Sequence, residues 1–210
     1  MKRILIISLI ALLFFCGCGS QDSVVKKYYV LERPDETTFL DSTNLDQIDG
    51  FCIIKHVDVY PAFATRQIAN RSDSHEITYY SYHEWAVRPS EVLTNMLVDY
   101  LNSRQVFRRA ASRFWQVSPE YKIETTIFQL ELAKTGGALA AHMHLQFKLI
   151  DNTSQNVITT YEADVSENLR KKNINLFAST ASKMFYAELQ KFSEKMVEVV
   201  NATESEKPEL

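Results

Sequence analysis

The chain reads as an α+β two-layer sandwich, a mostly antiparallel sheet with a C-terminal three-stranded meander, covered by two amphipathic helices. Three observations predict this. Two segments, one opened by Pro89 and one from about Ile174 to Asn201, carry apolar residues at helical spacing. Three consecutive segments between Tyr121 and Val165 alternate apolar and polar residues and are separated by turn residues. The order strands, helix, meander, helix stacks helices against a sheet rather than interleaving them with parallel strands.

The N-terminus lies outside that sandwich. Lys2 and Arg3 precede an apolar run of twelve residues, Ile4 to Phe15, broken only by Ser8. A spanning helix needs roughly 20 apolar residues, so this run has the length of a signal h-region. Gly17 precedes Cys18, as lipoprotein processing requires, whereas the bulky Phe15 precedes Cys16. Residues 1–17 are expected to be a lipoprotein signal peptide, with Cys18 as the lipid attachment residue. Two or more acyl chains of the palmitate kind anchor stably, at about 0.8 kcal/mol per buried methylene. Residues 18–27 then form a lipidated tether, whose stretch after Cys18 reaches roughly 30 Å at most. Residues 28–202 are expected to form one domain, and 203–210 an acidic disordered tail.

Cleavage leaves 193 residues, a length suited to one core. It also leaves 21 basic against 26 acidic residues. A net charge of −5 argues against a nucleic-acid partner, which selects a basic face. With Cys16 cleaved off and Cys18 acylated, only Cys52 of the three cysteines keeps a thiol, so no internal disulfide is expected and the fold rests on its core. Cys52 sits in the run Phe51-Cys52-Ile53-Ile54 and reads as a small buried hydrophobe.

Along the domain, Tyr28 to Leu31 is a short strand closed by Pro34, and Pro34 to Gly50 is a polar loop. Phe51 to Tyr60 reads as one strand with Phe51, Ile53, Val57 and Val59 on one face, interrupted by Lys55 and ended by Pro61. Thr65–Ala69 and Glu76–Tyr82 read as two strands around a turn at Asn70 to Asp73. Pro89 opens a helix, because its missing N–H costs nothing in the first turn; Leu93, Leu97, Tyr100 and Leu101 follow on one face. Val106 to Arg109 reads as a short strand. Tyr121 to Lys134 alternates as Ile123, Thr125, Ile127, then changes phase to Phe128, Leu130, Leu132, which predicts a bulge near Ile127. Thr135-Gly136-Gly137 is a hairpin turn. Met143, Leu145, Phe147 and Leu149 mark the second meander strand, and Val157, Thr159, Tyr161, Ala163 and Val165 the third. In the last helix, Phe177, Ala181, Phe185, Leu189, Phe192, Met196 and Val199 form the buried stripe.

Motifs for chemistry are sparse. The chain has five glycines and neither a phosphate-cradling Gly loop nor a G-x-S-x-G elbow. His142 and His144 share a strand face but lack a third ligand at fixed spacing, so they read as solvent-facing. His56, His75 and His83 are scattered, and nothing in the sequence pairs with Glu84. The expectation is a protein that is not an enzyme, with no catalytic residues, cofactor or metal. Aromatics cluster at Tyr79-Tyr80-Ser81-Tyr82-His83-Glu84-Trp85, read as a strand that ends in a core plug and presents part of its rings at an interface.

Four features, in order, resemble the PqiC-like family of ABC-type transport auxiliary lipoproteins that accompany MCE-domain proteins. They are Tyr28-Tyr29-Val30-Leu31 soon after the lipidated Cys; Pro61-Ala62-Phe63-Ala64-Thr65-Arg66-Gln67-Ile68; Trp85-Ala86-Val87-Arg88-Pro89 at a helix entry; and the sequel of helix, meander and helix. Tyr60 stands where the family usually has Leu, and Phe63-Ala64 replaces a more usual Tyr-Leu. The resemblance implies a non-catalytic auxiliary component of an intermembrane lipid transport system, with an MCE-domain protein, an ABC permease and an ATPase as partners. It singles out Arg66 and Trp85, which with Pro61 of the quoted proline segment and Tyr82 of the aromatic segment form a candidate partner interface; a strand-edge salt bridge is the plain structural role for Arg66 and a core ring that for Trp85. Gly19, rather than Asp, after the lipidated Cys leans toward the outer membrane with the domain facing the periplasm. A homo-oligomer is compatible with a conduit end. The competing readings are an assembly factor for a secretion or cell-wall machine, and an envelope hydrolase.

Overall fold

The computed structural model describes residues 25–34, 46–135 and 138–205. Its elements are β1 (Lys27–Tyr29), β2 (Ile48–Ile54), β3 (Asp58–Val59), β4 (Gln67–Asp73), β5 (Glu76–Trp85), α1 (Pro89–Ser103), β6 (Phe107–Ala111), β7 (Tyr121–Thr135), β8 (Ala138–Asp151), β9 (Val157–Asn168) and α2 (Ile174–Ser205). The predicted lipid attachment at Cys18, the signal peptide and the Gly136-Gly137 turn lie outside the described residues.

The strictest alternation makes the longest ladder. Met143, Leu145, Phe147 and Leu149 are all fully buried, and β8 pairs antiparallel with β7 on one side and β9 on the other. The far edge of β7 is served by three short strands in succession, all parallel to it: β2 at Tyr121 to Ile123, β3 at Thr126 and Ile127, and β4 at Glu131 to Ala133. Beyond β7 the sheet forks. One branch continues from β2 to β6, the other from β4 to β5 and β1. Both helices lie on one face, α1 against β6, β2 and β3, α2 against β8 and β9. Long antiparallel ladders dominate by length, yet among the described residues five of the eight pairings are parallel.

Several elements fall where the sequence puts them. α1 spans Pro89 to Ser103, with Pro89 in the first turn and Leu93, Leu97 and Leu101 fully buried. The β7 bulge lies between Ile127 and Gln129, opposite Leu145 and His144. In α2 the stripe Phe177, Phe185, Leu189, Phe192 and Met196 is fully buried; near the end Val200 is buried and Val199 half-buried. Asp151 Oδ1 accepts from the backbone N–H of Thr153 (2.9 Å) and Ser154 (2.7 Å), which shapes the β8–β9 turn.

Others are corrected. The expected strand Phe51–Tyr60 is two strands, and the face is different: Ile48, Cys52 and Ile54 enter the core while Phe51 and Ile53 are half-buried. The break at Lys55 and His56 changes phase, so Val57 and Val59 do point inward. β2 begins at Ile48, not Phe51, because Gly50 adopts φ 146° at an irregularity in the β2–β6 pairing; a Cβ there would come within 2.9 Å of the Tyr121 ring. Asn70 to Asp73 are strand rather than turn, since they pair with Glu76 to Thr78, and the chain reverses at Ser74 and His75. Helix α2 continues through Thr203 to Ser205, residues that the sequence placed in the tail.

The centre of the core is aromatic. Phe147 stacks on Phe192 with centroids 5.0 Å apart and packs against Phe185 at 5.9 Å. Replacing Phe147 with Ala is predicted to destabilise the domain by about 3–5 kcal/mol. Urea unfolding measures this, with Val157→Ala at an exposed position as the comparison that changes little.

Candidate functional site

The aromatic segment of β5 does not run flat along its neighbour. Gln67 pairs with Glu84, but Ala69 pairs with Tyr79. Four residues, Tyr80 to His83, therefore stand opposite the single residue Ile68 and arch away from β4, a wide bulge of the kind that re-aims side chains at sheet edges. Strand β1 closes over the far side of the arch, with Lys27, Tyr28 and Tyr29 opposite His83, Glu84 and Trp85.

Alternation along β1 and β5 sorts these side chains onto two faces. Toward the helices, Trp85 is 2% exposed and packs on Phe177 at 5.6 Å. Beside it, Tyr29 Oη and His83 Nδ1 share a hydrogen bond of 2.8 Å. Tyr80 meets the His83 ring edge-on at 5.6 Å, and Lys172 lies over the Tyr80 ring at 5.6 Å. On the outer face Arg66 joins the strands. Its Nε donates to the Trp85 carbonyl (2.9 Å), its guanidinium lies 5.2 Å from the centre of the Tyr28 ring, and it reaches Glu84 at 4.0 Å. Glu84 also pairs with Lys26 and, by that hydrogen bond first, holds the ammonium above its usual range.

The four predicted interface residues thus separate. Arg66 and Trp85 meet directly, through the backbone of Trp85; its ring is a core plug and offers no surface. Tyr82 stands on the arch, about half exposed. Pro61 is exposed at the start of the loop that ends in Arg66, and Tyr79 Oη ties that loop to β5 by donating to the Ala62 carbonyl (3.0 Å). Sequence reasoning missed Lys26, Tyr28 and Glu84 as members of this cluster. It also missed Trp115, which is 88% exposed in the segment between β6 and β7. The adjacent Arg113-Phe114-Trp115 in an otherwise polar stretch was the available signal.

The outer sheet face carries a second polar array. Arg71 on β4 donates to Glu131 Oε1 on β7 (2.6 Å), and His142 Nδ1 on β8 approaches the same oxygen (3.3 Å). His142 Nε2 lies 2.7 Å from Asp164 on β9. Both ring nitrogens face carboxylates, an arrangement that favours the charged imidazolium, in which both donate. His144 similarly meets Glu162 at 2.9 Å. The two histidines are half-buried and engaged rather than freely solvated. Among the described residues no group of His, Cys, Asp and Glu is arranged to hold a metal. Cys52 is fully buried, and burial pushes its thiol well up, away from the reactive thiolate. Among the described residues no helix is long and apolar enough to cross a membrane.

The family model described as the ABC-type transport auxiliary lipoprotein component matches residues 29–190, about three quarters of the chain. The chain belongs to this family of transport auxiliary lipoproteins. The match runs from Tyr29 on β1 into α2, so it takes in the arch, Arg66 and both helices. No curated protein sequence matches the chain. Among solved structures, a Xanthomonas campestris protein of the DUF330 family superposes with a TM-score of 0.74 at 13% identity, covering 85% of this chain and 99% of that one. A second, described as an uncharacterized protein, gives 0.63 at 12% identity, covering 81% and 99%. At these identities the likeness is one of fold. The auxiliary lipoprotein family places the protein in the envelope and in association with an ABC-type transporter.

The charged array sets a pH dependence. Hydrogen bonding to Glu131 raises the His142 pKa above its ordinary 6.5, against the effect of burial. Burial works to raise the Glu131 carboxyl, but hydrogen bonds from His142 and Arg71 outweigh it and leave it below 4.5. The His142 contribution is complete below pH 6.5 and is lost as pH rises through its folded value. The Glu131 contribution is complete above pH 4.5 and is lost as pH falls through its folded value. The array is predicted to stabilise most between those limits. Denaturation midpoints measured across pH should decline on the alkaline side of pH 6.5, and His142→Gln should flatten that decline.

Proposed function

We propose that this protein is a non-catalytic, lipid-anchored adaptor of an ABC-type system that carries phospholipid or another hydrophobic cargo between envelope membranes. Cys18 bears the lipid, the domain faces the periplasm from the outer membrane, and an MCE-domain protein is the partner that joins it to the inner-membrane permease and ATPase. The observation that supports this reading best is the exposed β1–β5 edge, where Tyr28 on β1, into which the N-terminal tether leads, meets Arg66, with the half-exposed Tyr82 on the adjoining arch of β5. It offers a cation and aromatic rings, residue types that anchor protein interfaces. The core is already complete without them.

The test is affinity capture of the lipidated protein from gently solubilised envelopes, with co-purifying proteins identified by mass. An MCE-domain protein is the expected partner. Arg66→Ala and Tyr82→Ala should each weaken its recovery while changing stability by no more than about 1–2 kcal/mol. Trp85→Ala should lose recovery through unfolding, at about 3–5 kcal/mol. A secretion or cell-wall machine in place of the MCE protein would contradict the reading. For the anchor, Cys18→Ser is predicted to move the protein from the membrane to the soluble fraction, and Cys16→Ser to leave it in place.

A further inference from the structure

The two ends of the sheet differ in chemistry. Strand β1 runs parallel to β5, and β5 antiparallel to β4 and β7. The chain therefore enters β1 from the side of the Ser74–His75 turn and the link from β9 to α2. The Trp115 segment leads into Tyr121 at the start of β7, whereas β1 lies level with Gln129, eight residues or about 27 Å further along that strand.

The entry side is rich in cations although the mature chain is acidic. Lys26 and Lys27 stand at the start of β1, and Arg170, Lys171 and Lys172 form the link before α2, all of them exposed. Lys172 reaches β5 at Tyr80, so the link and β1 share one surface. Next to it, a groove of about 300 Å³ runs between residues 28–34 and the first turns of α2. It is lined by Tyr28, Val30, Arg33, Asn175, Ser179 and Lys183, with Glu32 as its carboxylate. Val25 and Val30 are each more than half exposed beside these charges. Exposed apolar side chains next to lysines suit the headgroup layer of a bilayer.

We propose that this surface docks on the bilayer that holds the lipid anchor, with the Lys27 and Arg170–Lys172 cations on anionic phospholipid headgroups. The inference rests on the anchor at Cys18. Six residues lie between that position and Val25, seven steps of chain that span about 25 Å at full extension, so the basic surface never leaves the neighbourhood of the membrane. Attraction to anionic lipid acts within about a Debye length, roughly 10 Å, a distance that the tether readily closes. Docking fixes the domain's orientation: the Arg66 edge sits at the membrane margin and Trp115 points away.

The test uses the full lipidated chain, its acylation at Cys18 verified by mass, in vesicles of phosphatidylcholine alone or mixed one part in three with phosphatidylglycerol. Amide exchange over residues 25–30 and 169–175 should slow about tenfold or more in the anionic vesicles. High salt, or the variant Arg170→Gln, Lys171→Gln, Lys172→Gln, should abolish the protection. Trp85 is buried, so iodide quenching reports Trp115, which should stay equally accessible in both vesicles. Exchange independent of lipid charge in an acylated chain would overturn the docking surface, and so would shielding of Trp115 by the bilayer. An unmodified Cys18 would overturn the anchor itself, and the docking proposal with it.

Discussion

A single strand carries the architecture. β7 is long enough to pair with β8 along its whole length on one edge while three short parallel strands share the other. Because β2, β3 and β4 each cover only part of that edge, the chain peels away between them, and the sheet divides into a β6 branch and a β5–β1 branch. The bulge at Phe128 falls where the β3 and β4 pairings separate. The fork creates the edge on which Arg66, Glu84 and Tyr28 meet, while α1 packs on the β6–β2 branch and α2 on β8 and β9. A shorter β7 would have no place for the β1 edge.

Strict alternation was the most legible signal. β8 and α2 have one wet face and one dry one, so their period names the buried residues directly. Pro89 marks a helix start by a local mechanism, and the phase change across Ile127 and Phe128 marks a bulge in the same way. The phase of β2 was not legible, because Phe51-Cys52-Ile53-Ile54 is apolar on both faces and periodicity cannot choose between them. Asn70 to Asp73 have turn chemistry but occupy the outer end of a hairpin, where polar side chains meet solvent and cross-strand pairing decides the conformation. Parallel pairing depends on partners far apart in sequence, about which local composition says nothing.

The same limit applies to the site. Arg66 and Trp85 stood out through a family resemblance, and their neighbourhood in space is real, but the resemblance does not say which of them faces outward. The structure separates them: the ring of Trp85 belongs to the core, and Arg66 grips its carbonyl from the surface. Glu84 joins Arg66 because β4 pairs with β5, and Tyr28 joins them because β1 returns to pair with β5, a contact between segments more than fifty residues apart. The array of Arg71, Glu131, His142 and Asp164 is likewise assembled across four strands. It ties the β4 branch to the β7–β9 ladders on the sheet face opposite the two described helices.

Whether the exposed β1–β5 edge meets the transporter is tested most directly by site-specific photo-crosslinking in growing cells, with the reactive side chain placed at Tyr82 and, in a parallel strain, at Trp115. A crosslink from Tyr82 to an MCE-domain protein is expected, and a much weaker one or none from Trp115. Crosslinking to that protein from Trp115 alone, or from Tyr82 only to an unrelated envelope machine, would contradict that contact.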